Sequence, residues 1–248
     1  MAKIQERGVL NVATKFDAKL FGQKNPLTGK LEGFDIEMAH AIAKHIFGSD
    51  APERVAFIEG VTANRETLLQ TGKVDVVIAT YSITDKRKEA VGFAGPYYKS
   101  AQDIMVRPDT TDITAAKDLA NRTVCAIQGG TSYIRIQSEV PSAKLTSFDT
   151  NTKCLEALLD KRVDAVATDK ALLLGFLADH KGEVKLLNDD YGSDPYGIGV
   201  KREDTEFRTF LNDTIADIEK SGKWAEIYAA TIGKVSNMNP EPPTIDRY

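Results

Sequence analysis

Two stretches of the chain repeat one pattern, KVDVVIAT (Lys73–Thr80) and RVDAVATD (Arg162–Asp169). In each, a helical-looking segment (RETLLQTG, then TKCLEALLD) runs into a basic residue, Val-Asp, and a short apolar run that ends in polar side chains. Apolar runs of this kind, rich in Val and Ala, suit a strand buried on both faces of a parallel sheet. Two copies of one helix–strand unit predict two similar α/β lobes. Their polar ends, Thr80-Tyr81-Ser82 and Thr168-Asp169, then lie at the carboxyl ends of the strands, where open α/β sheets place their ligands. With the lobes face to face, the duplicated ends converge on one cleft. The repeat therefore predicts a binding architecture.

A chain of 248 residues has room for one large or two medium domains. Hydrophobic content of 42% and charged content of 27% describe an ordinary globular composition. A net charge of −4, with no block of Lys or Arg, argues against a nucleic-acid partner. No apolar run has transmembrane length and no signal-peptide core is present, so MAKIQERGVL reads as an initiator Met joined to a mature sequence. Cys125, Cys154, His40, His45 and His180 form no CxxC, HExxH or Cys–His cluster, and no metal or cofactor is expected. His40 and His45 are off the i, i+4 spacing of a helical metal pair and read as surface residues. There is no P-loop, no GxGxxG after a strand and no GxSxG, and no catalytic residue is assigned.

Strands are predicted at Val9–Thr14, Val55–Ile58 and Val74–Ala79, with helices at Asp35–Gly48, from Asn64 to Gly72, and at Thr84–Val91. Asp35 and Asn64 read as helix caps, and Gly48 as a helix stop. Gly92–Tyr98 reads as irregular because of its glycines and proline, and Asp103–Val106 as a short strand. The βα rhythm then restarts. Helices are expected at Ala115–Leu119, Ser132–Gln137, Thr152–Leu159 and Lys170–Leu177. Strands are expected at Thr123–Ile127, Lys144–Phe148, Val163–Ala167, Val184–Leu187 and Tyr196–Val200. Two helices, Thr205–Lys220 and Lys223–Thr231, precede an extended proline-rich tail. Alternation throughout argues for parallel sheets.

SITDKR (Ser82–Arg87) combines hydroxyls, free N–H groups at a helix start and an arginine one turn in, which suits a carboxylate. GGTS (Gly129–Ser132) offers a second set of N–H groups from the other half. The alternative for both is a solvated capping turn. Asp169 ends the duplicated strand, where a ligand ammonium would satisfy its charge; capping the following helix is the equal alternative. Lys15 and Phe16 follow the first strand and Arg65 opens the second helix, so the predicted mouth holds Lys15, Arg65 and Arg87. Three cations against one Asp favour a ligand with two carboxylates and one amine. Surface ion pairing is the alternative for each cation taken alone.

GFDIEMAHAIAK, YSITDKRKEAVGFAGPYY, AIQGGTS, RVDAVATDKALLLGF and YGIGVKR, in this order, resemble the landmarks of the polar amino-acid solute-binding proteins of ABC transporters. The resemblance runs from Leu10 to about Ile232, and ATKFD, ANRETLLQTGKVD and PEPPTIDRY are most similar to the glutamate/aspartate-binding branch. It implies that Arg87, with Thr80 and Ser82, holds the α-carboxylate, that Tyr81 belongs to the ligand-binding set, and that Gly129, Thr131 and Ser132 close from the second lobe. It further implies that Asp169 takes the α-ammonium, that Lys15 and Arg65 approach a side-chain carboxylate, and that Phe16 and Tyr196 stand near the ligand. An aromatic carried by basic-ligand binders is missing around Ala18.

The implied fold is α/β, a two-lobed type II periplasmic-binding-protein-like fold with mostly parallel sheets and a two-strand hinge. Lobe 1 would hold residues 1–101 and 191–248, and lobe 2 residues 102–190, with crossings near Lys99–Gln102 and Asp190–Pro195. The implied function is a monomeric extracytoplasmic binder of L-glutamate, aspartate second, that closes on its ligand and delivers it to a membrane permease. The missing signal and lipid-anchor cysteine depart from the family's full-length precursors and leave periplasmic and lipid-tethered placement open. The alternatives are a binder of another polar amino acid such as glutamine, or a cyclohexadienyl dehydratase-like enzyme, whose general acid has only Asp169 as a candidate. Cys125 and Cys154 lie in elements expected to pack together, and the resemblance implies that they form a disulfide.

Overall fold

The computed structural model describes residues 1–48, 52–236 and 240–248. The chain opens with α1 (Ala2–Arg7) and β1 (Leu10–Thr14), then three short strands, β2 (Asp17–Ala18), β3 (Gly22–Lys24) and β4 (Leu31–Glu32). Next come α2 (Phe34–Phe47), β5 (Val55–Glu59), α3 (Arg65–Gln70), β6 (Val76–Val77) and α4 (Asp85–Lys88), leading into β7 (Gly92–Val106). The middle runs through β8 (Thr123–Cys125), α5 (Thr131–Glu139), β9 (Lys144–Thr146) and α6 (Asn151–Leu159), then β10 (Ala165–Asp169), α7 (Lys170–Asp179) and β11 (Lys185–Leu186). The remaining elements are β12 (Gly192–Val200), α8 (Thr205–Lys220) and α9 (Lys223–Ala230).

The chain divides into two compact units: Met1–Phe16, Leu20–Lys99 and Pro195–Tyr248, and Asp17–Lys19 with Ser100–Asp194. The divisions fall inside β7 and β12, at Lys99/Ser100 and Asp194/Pro195, where the sequence suggested 101/102 and 190/191. Asp17–Lys19, expected with residues 1–101 in the first lobe, goes with the second unit. The Asp17 carboxylate accepts from Asn151 N at the start of α6 (2.9 Å), and Lys19 pairs with Asp179 at the end of α7.

The repeat is built into the topology. In the first unit the order is β5-β1-β6, all parallel, with β12 antiparallel beside β6. In the second it is β9-β8-β10, again parallel, with β7 antiparallel beside β10. The duplicated strands β6 and β10 thus occupy the same place, each between the first parallel strand and an antiparallel crossing strand. Their residues are buried on both faces, as a central strand requires.

The two cores differ in material. Phe21, Phe34, Tyr97, Tyr98, Tyr196, Trp224 and Tyr228 form an aromatic cluster in the first unit, with ring centres 5.3 to 6.5 Å apart in successive pairs. Trp224 Nε1 donates to Tyr97 O (2.7 Å), so its polar edge is satisfied. The second unit has an aliphatic core with the Cys125–Cys154 disulfide joining β8 to α6, Cα atoms 5.5 Å apart.

Three local expectations need correction. Gly92–Tyr98 is not irregular but the first half of the long strand β7, buried throughout. Gly95–Pro96 is a cis peptide, and polar partners come from outside the sheet: Asn212 Oδ1 accepts from Gly95 N (2.8 Å), and Asp246 N donates to Gly95 O (2.8 Å). Asp35 does not cap α2, because Gly33 takes the cap position. Asn64 sits at the cap position of α3 but makes no capping bond.

Over residues 240–248 the proline-rich tail forms neither helix nor strand, and it is fastened to the first unit. The Tyr248 hydroxyl accepts from Phe93 N (2.8 Å), and Lys88 and Arg208 lie 3.9 and 4.6 Å from its ring centre. Arg247 pairs with Asp213 (2.7 Å).

Candidate functional site

The first unit's site begins with the turn that ends the duplicated strand. Thr80 adopts a left-handed conformation (φ 44°), which a β-branched residue keeps only when its surroundings enforce it. Asp35, fully buried in the first turn of α2, supplies that enforcement. Its carboxylate accepts from Thr80 N (2.8 Å) and from the Tyr97 hydroxyl (2.6 Å). Burial pushes the Asp35 carboxyl up to about 6, while those two bonds and the charges of Lys15 and Arg65 hold it down. After Thr80 the backbone is pinned to β12: Gly197 N donates to Tyr81 O (2.9 Å), Ile83 N donates to Pro195 O (2.8 Å), and Ser82 bridges to Tyr196.

Arg65 and Arg87 share one support. The Arg65 guanidinium lies 4.2 Å and that of Arg87 5.0 Å from the Tyr81 ring centre, both within cation–π range. Arg65 also donates to Ala79 O (3.0 Å) and Arg87 to Ser82 O (2.7 Å), so each arginine is oriented by a strand-end carbonyl. The Tyr81 ring is fully buried, edge-on to Phe93 at 4.7 Å, and its hydroxyl donates to Glu66. Thr84 caps α4 by accepting from Arg87 N (3.3 Å). Lys15 is buried at the end of β1, and Phe16, half-buried, takes Lys24 N on its carbonyl (2.9 Å). Tyr196 is fully buried within the aromatic cluster. The first unit therefore gathers Lys15, Arg65, Thr80, Ser82 and Arg87 around the strand end, with the rings of Tyr81 and Tyr196 packed into the interior.

In the second unit Asp169 ends β10 and occupies the cap position of α7, yet makes no capping hydrogen bond. The Ser100 hydroxyl accepts from Ala171 N (3.2 Å) at the start of that helix. Thr131 and Ser132 start α5 after the exposed turn at Gly129. The Thr131 hydroxyl donates to Asp194 (2.7 Å), which also accepts from Gln102 Nε2 (2.6 Å); Gln102 in turn accepts from Arg135 Nε (2.9 Å). Lys170 pairs with Asp190 (2.7 Å) and faces buried Asp103 at 3.9 Å. Burial raises the Asp103 carboxyl, against three backbone N–H bonds and the Lys170 charge. The face is hydroxyl-rich and acidic.

Sequence reasoning missed Asp35, Glu66 and Asp194. Asp35 carried the signature of a helix cap, and Asp194 lay in a stretch read only as a chain crossing. Glu66 adjoins Arg65, but nothing in the sequence links it to Tyr81. A separate hollow of the first unit, lined among others by Glu37, His40, Lys44, His45 and Asp217, shares no residue with the strand-end group. Among the described residues, no His/Cys/Asp/Glu group could hold a metal, and no helix is long and apolar enough to cross a membrane.

Residues 10–234 match the family model of bacterial extracellular solute-binding proteins, family 3. The glutamate-binding protein GluB of Corynebacterium glutamicum is 32% identical over 240 residues, covering 93% of this chain and 81% of that protein. The ABC transporter glutamine-binding protein GlnH of Bacillus subtilis is also 32% identical, covering 92% and 82%. Among solved structures, a solute receptor for L-cysteine from Neisseria gonorrhoeae matches with a TM-score of 0.91 at 31% identity, covering 97% of each chain. An ancestral arginine-binding protein bound to glutamine matches at 0.85 and 34%, covering 92% of this chain and 99% of that one. The architecture is the two-lobed type II binding-protein fold.

Proposed function

We propose that this chain, which belongs to family 3 of the bacterial extracellular solute-binding proteins, captures L-glutamate, with L-aspartate second, and delivers it to a membrane permease outside the cytoplasm. Relatives named for glutamate and for glutamine match equally well, so the ligand rests on the chemistry of the site. One observation carries it: three buried or half-buried cations, Lys15, Arg65 and Arg87, stand with the strand end of the first unit. Asp35 stands among them, accepting from Thr80 N and the Tyr97 hydroxyl and held down by the charges of Lys15 and Arg65. A ligand with two carboxylates matches three cations gathered at one strand end, and an arginine fork suits a carboxylate.

Arg87, with Thr80 and Ser82, is assigned the α-carboxylate, and Lys15 with Arg65 the side-chain carboxylate. The family resemblance gives the α-ammonium to Asp169 and further α-carboxylate contacts to Thr131 and Ser132. Calorimetry with glutamate, aspartate, glutamine, arginine and cysteine tests the reading. Glutamate should bind most tightly, and tighter binding of glutamine or arginine would overturn it.

A further inference from the structure

Asp35 and Arg65 hold opposite ends of one peptide group. The Asp35 carboxylate accepts from Thr80 N (2.8 Å) and Arg65 donates to Ala79 O (3.0 Å), so the amide that links Ala79 to Thr80 lies between the two charges. All four residues are buried, where charges are poorly screened. The second oxygen of Asp35 takes the Tyr97 hydroxyl from β7 (2.6 Å). Lys15, buried at the end of β1, and Arg65 on α3 are the cations whose charge acts on Asp35. On the α9 side, the neighbouring Phe34 packs on Trp224, with Tyr228 stacked behind it. The proposed function gives Lys15 and Arg65 to the side-chain carboxylate of the ligand. The ligand charge and the Asp35 charge then act on the same two cations.

We propose that Asp35 is a specificity-determining residue: its negative charge, set across the Ala79–Thr80 peptide from Arg65, opposes a carboxylate on the ligand side chain and so limits the preference for acidic over neutral amino acids. This deepens the proposed function and rests on it for the placement of the ligand. Neutralising Asp35 leaves the turn in place. A protonated carboxyl, or the amide of an Asn, still offers an oxygen to Thr80 N, and the Tyr97 hydroxyl can accept as well as donate. Burial pushes the Asp35 carboxyl up to about 6, against the Tyr97 and Thr80 bonds and the two cations. Glutamate keeps its own side-chain charge in that range, since a free carboxyl of its kind titrates near ~4.3. The coupling is reciprocal: a carboxylate bound at the cations makes Asp35 easier to protonate by the factor by which protonation tightens the carboxylate.

The test is the ratio of glutamate to glutamine affinity, measured by calorimetry at pH 7.5 and pH 5.5 in the unaltered protein and in Asp35→Asn. In the unaltered protein the ratio should rise ~5-fold at the lower pH. Asp35→Asn should stand ~10-fold above the unaltered protein at pH 7.5 and lose the pH dependence. A ratio indifferent to pH in the unaltered protein would overturn the proposal. So would a ratio that falls in Asp35→Asn, because Asp35 would then support the acidic ligand through Arg65. If Asp35→Asn fails to fold, the unaltered protein still decides. Titrations at pH 6.5 in two buffers of different ionisation heat should show proton uptake with glutamate and none with glutamine, and equal uptake with both would reject the coupling. The starting value of the ratio tests the proposed function separately, and its change tests Asp35 whichever ligand the unaltered protein prefers.

Discussion

The two units share a strand order and differ in what stands at its end. β6 runs into Thr80, Tyr81 and Ser82, with Arg65 and Arg87 on one ring; β10 runs into Thr168 and Asp169, beside hydroxyls and carboxylates. A duplicated parallel sheet fixes where side chains emerge without fixing their charge, because only the apolar run is committed to the core. The interiors diverged as well, to aromatic rings in one and a disulfide with aliphatic packing in the other. The lesson is that repeated topology predicts the location of a site, while its chemistry must be read residue by residue.

The contrast between cationic and acidic ends is broken most directly at the arginines. Arg65→Ala should cost glutamate roughly 2–5 kcal/mol, a loss of ~30- to several-thousand-fold, by leaving a desolvated carboxylate under-paired. Glutamine should lose far less. Arg87→Ala should weaken all amino acids together, because each carries the α-carboxylate. Equal losses of glutamate and glutamine in Arg65→Ala, read by calorimetry, would remove Arg65 from the side-chain site.

The contrast of interiors is next. Replacing Cys125 and Cys154 together by alanine opens a loop with a separation of 29 residues. In the chain-entropy model this costs about 3–4 kcal/mol, borne by the second unit. The single tryptophan, Trp224, is buried in the first unit, so its fluorescence follows that unit. The variant should show an early loss of circular dichroism while the fluorescence transition lags. Coincident, equally shifted transitions would mean that the units unfold as one.

A smaller effect belongs to Asp35. Its folded pKa of about 6 lies above the ordinary 3.8, so its contribution to stability is full below pH 3.8 and is lost as pH rises through about 6. The difference of about 2 units corresponds to about 3 kcal/mol. Asp35→Asn should flatten the stability of the first unit between pH 4 and 6. If denaturant titrations give parallel curves for the variant and the unaltered protein over that range, the carboxyl does not titrate there.

The smallest effect is at Glu219 on α8, whose carboxyl burial raises to about 7. The same sign applies: its stabilising share is present below pH 4.5 and lost as pH rises through 7. Glu219→Gln should therefore stabilise at pH 8, by under about 1 kcal/mol because the group is half exposed, and should do little near pH 5. Thermal melts at the two pH values check it, and equal shifts would contradict the titration.

The paired sheets were legible because in both copies Val-Asp leads into an apolar run that is a central strand, β6 and β10. The strand character of Gly92–Tyr98 was hidden by Gly95 and Pro96, whose polar needs are met by Asn212 and the tail, far along the chain. The cations of the proposed site could be singled out as a group, since Lys15 follows a predicted strand, Arg65 opens a predicted helix and Arg87 lies in the first turn of another. Asp35 was not: an acid at the head of an apolar stripe looks like a cap, and its true partners, Thr80 and Tyr97, lie 45 and 62 residues away. Long-range pairing of this kind leaves no local trace.

The tail has a practical consequence for anyone who wants to turn the chain into an optical sensor. Tyr248 is clasped by Phe93 N, Lys88 and Arg208, and Asp246 holds the carbonyl of Gly95. Dye chemistry or a fused reporter at residues 246–248 would tug on α4, which carries Arg87, and would register its own disturbance as signal. Leu27, 94% exposed between β3 and β4 and part of neither α4 nor the tail, is the quieter attachment point.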